Sequence, residues 1–158
     1  MTEEKKQEFA QRIGKANKTE LVAIVYEIAI AYTEDAQTAL KADDIAAFKE
    51  GLDGIKKCVD DLANTLNFDI DFSNQLLSIY NYIRRQLTAV RMDKNPETLE
   101  HIKWMLTEIG GSFTQIADQD NSGSVMEATE HVVAGMTYGR GVLNENVVNS
   151  EAGHSFSV

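Results

Sequence analysis

From Asp44 to Ile116 the apolar residues recur in alternating steps of three and four, and no other property of the chain narrows its fold as much. One set is Ile45, Phe48, Leu52, Ile55, Val59, Leu62 and Leu66. The next is Leu76, Tyr80, Ile83, Leu87 and Val90, and the last is Leu99, Ile102, Leu106, Ile109, Phe113 and Ile116. An earlier, broader stripe carries Leu21, Ile24, Val25, Ile28, Ala31, Tyr32, Ala36 and Leu40. Such steps bring each set onto one face of an α-helix, with the near-heptad repeat of long packed helices. A strand would need alternation with period two, and no stretch sustains it.

The ends of these segments carry the chemistry of helix starts. The single proline, Pro96, follows Asn95 and precedes Glu97. That order gives an N-cap, a residue with φ already set for the first helical position, and a carboxylate at the positive helix end. Asn17 stands three residues before Glu20, a capping-box spacing; Asp43 or Asp44 precedes Ile45, and Asp71 precedes Phe72. The spacing thus predicts helices over 18–42, 44–67, 72–93 and 96–117. Helices of about 22 residues run ~33 Å, and connections of about three to five residues cannot recross that length. The expected fold is all-α: an antiparallel up-down-up-down four-helix bundle at 1–118, with a glycine-rich C-terminal extension at 119–158.

That extension differs in kind. It holds Gly123, Gly135, Gly139, Gly141 and Gly153, five of the ten glycines, and no lysine follows Lys103. Residues 138–158 read as polar loop. Only Val125, Ala128, Val132, Val133 and Met136 keep a helical stripe, over 125–136, and so short a helix needs a surface to dock on. Val125, Val132, Val133 and Met136 are therefore candidates for a self-capping tail. Over the whole chain 15 basic residues face 25 acidic ones, a net charge of −10 that repels phosphate backbones and anionic lipid. Nucleic acid and membrane are poor partners for it. The N-terminus lacks the apolar region of a signal peptide, no apolar run is long enough to span a bilayer, and Cys58 is the only cysteine. A cytoplasmic protein without disulfides is expected.

Motifs for chemistry are weak. A di-metal bundle needs Glu-x-x-His pairs, but His101 directly follows Glu100 and His131 directly follows Glu130. Asp118-x-Asp120-x-Ser122-Gly123 starts like a calcium loop, yet Thr129 stands where the closing bidentate glutamate belongs. Histidine phosphotransfer by His101, the alternative function, would need lysine and glycine at +3 and +4, where Trp104 and Met105 stand. Cys58 reads as a small packing residue. No phosphate loop or nucleophile elbow is present, so neither an enzyme nor a cofactor is expected.

Two features ask for more than a plain bundle. Gly110-Gly111 lies inside the fourth segment, where each glycine costs about 1 kcal/mol against alanine. Either the helix kinks there or another backbone approaches closely. Apolar and aromatic residues also stand off the stripes: Val22, Tyr26, Leu77, Ile79, Tyr82, Trp104 and Met105. Those that do not widen the core would form an exposed strip suited to an amphipathic partner helix.

The segment Ile79-Tyr80-Asn81-Tyr82-Ile83-Arg84-Arg85-Gln86-Leu87 resembles the L-Y-D-Y-M-x-R-R-L signature of the FliS family, the flagellin-specific export chaperones. Asn17-Lys18-Thr19-Glu20-Leu21 followed by Ile24-Val25-Tyr26-Glu27 is similar to that family's S-P-E-E-L…L-Y-D/E pattern, and the likeness runs over 10–118. The family's N-terminal Asn-Pro-Tyr is missing, with Phe9 the only aromatic near its place; Asn81 and Gln86 replace an acid and an arginine. The resemblance implies a cytoplasmic chaperone that holds the C-terminal segment of flagellin, preventing premature polymerisation and aiding secretion, with room for other flagellar regulators as partners. On that reading Tyr26, Tyr80, Tyr82, Leu87, Trp104, Gly110 and Gly111 form or support the binding groove, while Arg85 braces the bundle through an acidic neighbour.

Overall fold

The computed structural model describes residues 1–126, which hold five α-helices and no strand. They are α1 (Glu3–Lys15), α2 (Lys18–Lys41), α3 (Ile45–Asn64), α4 (Ser73–Asp93) and α5 (Pro96–Gln119). Among the described residues no helix is long and apolar enough to cross a membrane. The expected helices correspond to α2–α5, the largest difference being an end expected at 67 and found at Asn64. Asn17 caps α2 by accepting from the Glu20 N–H at 2.8 Å, Asp44 caps α3 from Ala47 at 3.1 Å, and Asn95 caps α5 from Glu97 at 3.0 Å. Asp71 does not cap α4: that helix follows Phe72 with no side-chain cap. The eight-residue link 65–72 is longer than expected and is closed by the Ser73 hydroxyl donating to the Asn67 carbonyl at 2.5 Å.

Helix α1 is an addition to the expected four. Its termini are well formed, with Thr2 accepting from Lys5 N–H, Glu3 and Glu4 in the first turn, and Arg12 and Lys15 in the last. It folds back along α2. Phe9 packs in a small cluster with Ala16, Ile24 and Ala31, the Arg12 guanidinium donates to both oxygens of Glu27 at 2.6 and 2.8 Å, and the Met1 ammonium lies 2.6 Å from Asp35. With one buried aromatic and a half-exposed ion pair, α1 is the most lightly held of the helices.

The core belongs to α2–α5. Gln37 bonds Glu100 and Lys103 pairs with Glu34, so α2 and α5 run in opposite senses. Arg84 pairs with Asp60 at 2.8 Å and Arg91 with Asp53, which sets α3 against α4 in the same way. Lys56 and Arg84 together hold the Asp60 carboxyl below the usual range. The α2 helix packs most closely on α3 and α5, whereas α4 meets α5 sparsely.

Glycine permits both close approaches. A Cβ at Gly51 would stand 2.9 Å from the Cβ of Ala36 and 3.1 Å from its backbone nitrogen. A Cβ at Gly110 would stand 2.9 Å from the Cβ of Tyr26, and α5 runs unbroken through it from Pro96 to Gln119. The close-approach reading therefore holds at Gly110, against a tyrosine side chain rather than a backbone. At Gly111 an added Cβ meets nothing within 4 Å. Gly110→Ala and Gly51→Ala should each lower stability by about 1–3 kcal/mol through overpacking against atoms that cannot swing aside. Gly111→Ala should raise it by about 0.5–1 kcal/mol through helix propensity. Thermal melts of the three variants check this; G110A more stable than G111A would overturn the assignment.

Candidate functional site

The inward faces of α4 and α5 are filled by Leu76, Tyr80, Ile83, Leu87 and Val90 and by Leu99, Ile102, Leu106, Gly110 and Phe113. Residues one step off those faces fall along the seam between the two helices. Ile79 on α4, with Met105 and Ile109 on α5, packs against the core while staying only partly covered. At one end of the seam the Tyr82 ring meets the His101 ring edge-on at 6.1 Å, and His101 stacks on Trp104 at 6.0 Å. The Arg85 guanidinium lies 5.9 Å from the centre of the Tyr82 ring. Trp104 keeps 58% of its surface exposed.

At the other end the link 65–72 opens an apolar cleft of about 190 Å³, lined by Leu66, Ile70, Phe72 and Leu76 on one side and Phe113 and Ile116 on the other. Lys18 and Thr19, at the start of α2, form its rim. Phe72 and Ile116 are 47% and 50% exposed, and Phe68 nearby is exposed as well. Each carries a large apolar surface that water covers at a cost of about 25 cal/mol per Å². Such a run, rimmed by polar groups, marks a surface meant to be covered.

The structure divides the expected site residues. Tyr82 and Trp104 are on the surface at the seam, and Gly111 is exposed on α5. Tyr26, Tyr80, Leu87 and Gly110 are buried and offer no area to a partner. They underlie the seam. Tyr26 is wholly enclosed, stacks on Phe113 at 5.4 Å and shares a hydrogen bond with the hydroxyl of Tyr80. Burial pushes the Tyr26 phenol well above its ordinary range and raises that of Tyr80, for which the hydrogen bond with Tyr26 offsets part of the effect. Of the two adjacent arginines it is Arg84 that pairs with an acid among the described residues, Asp60, and it also donates to Asn81 at 2.9 Å, while Arg85 lies over the Tyr82 ring. Of the other off-stripe residues Val22 is buried and Leu77 half-buried. The cleft residue Phe72 and the exposed Phe68 were not among the expected ones. Their only signal is the apolar alternation Phe68, Ile70, Phe72 in a link too short to be read as a strand.

Other expected chemistry resolves into structure. Cys58 is buried and its thiol is pushed up to about 12 by desolvation, so it stays protonated and inert. Asp118 lies within α5, and the Asp120 carboxylate accepts from Thr19 at 2.8 Å and from Ser122. Those bonds lower its pKa, Ser122 contributing most. They turn the loop into an anchor. Asn17 Nδ2 donates to the carbonyls of Asp120 and Ser122 at 3.3 Å, Ser124 bonds Gly14, and the Val125 N–H donates to Ala16 at 2.9 Å. Val132, Val133, Met136 and His131 lie outside the described residues.

A family model described as Flagellar protein FliS matches residues 1–121. The chain belongs to the FliS family. FliS proteins are flagellar export chaperones, and the match takes in α1 as well as the four longer helices. No match to a curated protein was found. In this FliS protein the family's tyrosine-rich segment faces two ways, with Tyr80 turned into the core and Tyr82 out to the seam.

The buried phenol pair makes a prediction. Tyr26→Phe or Tyr80→Phe alone strands one buried hydroxyl and should cost about 1–3 kcal/mol, while the double variant should cost less than the sum. Both folded phenol pKa values lie above the unfolded value of about 10, so the fold favours the neutral pair. Stability should therefore be level up to about pH 10 and fall above it, less steeply in Y26F/Y80F. Urea titrations across pH check both points. Strict additivity of the two single variants would remove the coupling.

Proposed function

We propose that this FliS protein is a cytoplasmic export chaperone that holds the C-terminal segment of flagellin as helix along the α4–α5 seam, keeping it from polymerising until export. The observation that carries the reading is the run of apolar side chains along the seam, exposed at Tyr82 and Trp104 and again at Phe72 and Ile116, and partly covered between them at Ile79, Met105 and Ile109. In this reading α2–α5 form an up-down-up-down bundle, and the seam is where its packing is least complete. From Trp104 to Ile116 is twelve residues, or about 18 Å of helix, enough to receive roughly three turns of a partner. A segment that folds on binding covers such a face at modest affinity per unit area and can be released for export. Tyr82, Trp104 and the uncovered side of Gly111 contact the client, while Tyr26, Tyr80, Leu87 and Gly110 hold the seam in shape. No covalent step is needed.

Trp104 is the only tryptophan, which makes it the reporter as well as the anchor. Adding a flagellin C-terminal peptide should shift its emission to the blue and release heat in calorimetry. Trp104→Ala should weaken binding by about tenfold or more, the usual cost of an interface anchor. The melting temperature should hardly move, because most of the ring is already in water. Unchanged emission together with no heat at tens of micromolar would sink the proposal.

A further inference from the structure

Residues 127–158 leave the described fold at one definite place, and that place adjoins the cleft at the end of the seam. The chain is pinned there by bonds from Asn17 to Asp120 and Ser122, from Ser124 to Gly14, and from the Val125 N–H to Ala16. Ala16 is two residues before Lys18 on the rim of the cleft. We infer that the chain's own segment 127–136 docks in this cleft, setting Val132, Val133 and Met136 against Phe72, Phe113 and Ile116.

Reach and chemistry select this occupant and this face. A helical stretch of ten residues is about 15 Å long, which suits a cleft adjoining its point of departure. The aromatic end of the seam is farther off: from Gln119 back to Trp104 is fifteen residues, or about 22 Å of helix, before any docking begins. A second depression at the same end of the molecule sets six charged side chains, among them Arg12, Glu27 and Asp120, beside Ala23, Ile24 and Ala117, a mixed lining that suits two valines and a methionine less well. The cleft is more apolar, six of its lining residues being leucine, isoleucine or phenylalanine, with Lys18, Thr19, Asn67 and Ser73 completing it. Docking within one chain also needs no encounter, since the anchor at Val125 keeps the segment at high effective concentration.

The inference stands on the cleft and the anchor alone. Only its consequence rests on the proposed client function: if flagellin uses the seam, the tail competes with it at one end and lowers apparent affinity by the fraction of cleft it occupies.

Amide hydrogen exchange on the full chain, without any client, tests it. Val132→Asp/Val133→Asp should speed exchange in 66–76 and 113–119 by about threefold or more relative to the unchanged chain. Ile116→Asp, at a half-exposed position, should reciprocally speed exchange in 127–136. Melting temperatures of both variants show whether the bundle is intact. Unchanged exchange in both segments would overturn the inference, as would faster exchange around Tyr82 and Trp104 in place of the cleft. Protection that disappears on dilution would assign the cleft to another copy's tail and overturn it equally. A failure of flagellin to bind leaves every one of these readings in force.

Discussion

Everything in this fold hangs on how closely α2 can be approached from two sides. Gly51 lets α3 press onto Ala36, and Gly110 lets α5 press onto Tyr26, each at a separation that a methyl group would block. Alanine on α2 completes the fit, with Ala29, Ala36 and Ala39 buried among larger neighbours. Close packing of this kind maximises dispersion contacts and fixes helix direction at the same time. It also decides what is left over. With α3 and α5 drawn onto α2, α4 is held by its buried stripe from Leu76 to Val90, to which the Asp60–Arg84 and Asp53–Arg91 pairs with α3 and the Tyr26–Tyr80 hydroxyl pair are added. The α4–α5 pairing is what remains sparse, and the apolar seam follows from that geometry.

The seam is uneven along its length, and the unevenness bears on function. At Tyr82, His101 and Trp104 it presents ring faces with Arg85 beside them, a surface that rewards planar and aromatic groups. At Phe72 and Ile116 it is a cleft with apolar walls, suited to branched aliphatic side chains. His101 is thus part of a stack, not an isolated surface imidazole, and its neighbours at the ring are Tyr82 and Trp104. A single helix lying along the seam would meet both environments about three turns apart. That gives register as well as affinity, because sliding by one turn would pair the wrong chemistry at each end.

How much of this was legible in the sequence depends on what kind of signal carried it. Helices α2–α5 announced themselves because each buries a stripe, and stripes survive in sequence as steps of three and four. Helix α1 buries only Phe9 and left no stripe, although Thr2, Glu3 and Lys15 marked its ends. End signals without periodicity are too common to stand alone. That Ala36 and the Tyr32 ring lie against Gly51 and Gly54 is long-range information that no local pattern carries. The two tyrosines of the Tyr-Asn-Tyr segment, by contrast, were legible. Spacing of two on a helix separates them by about 200°, so one had to face inward, and the stripe through Ile83 and Leu87 assigned Tyr80 to the core. The cleft was hidden for another reason. Ile70 and Phe72 stand in a link, where no regular period tells which side chains meet Phe113 and Ile116.

One residue ties these levels together. Asn17 accepts the Glu20 N–H through Oδ1, which starts α2, and donates through Nδ2 to the Asp120 and Ser122 carbonyls just beyond α5. It is fully buried, so its amide must be satisfied on both sides or carry a large desolvation cost. A serine or aspartate would cap the helix as well but has no amide nitrogen to give the two carbonyls. Asparagine is therefore the cap that the chain requires once its C-terminal extension has to leave from this corner. The start of α2 is fixed by its own cap, the end of α5 is fixed to the start of α2, and the chain beyond is launched beside the cleft. The two helix ends are thus tied together by one side chain whose first role is to begin a helix.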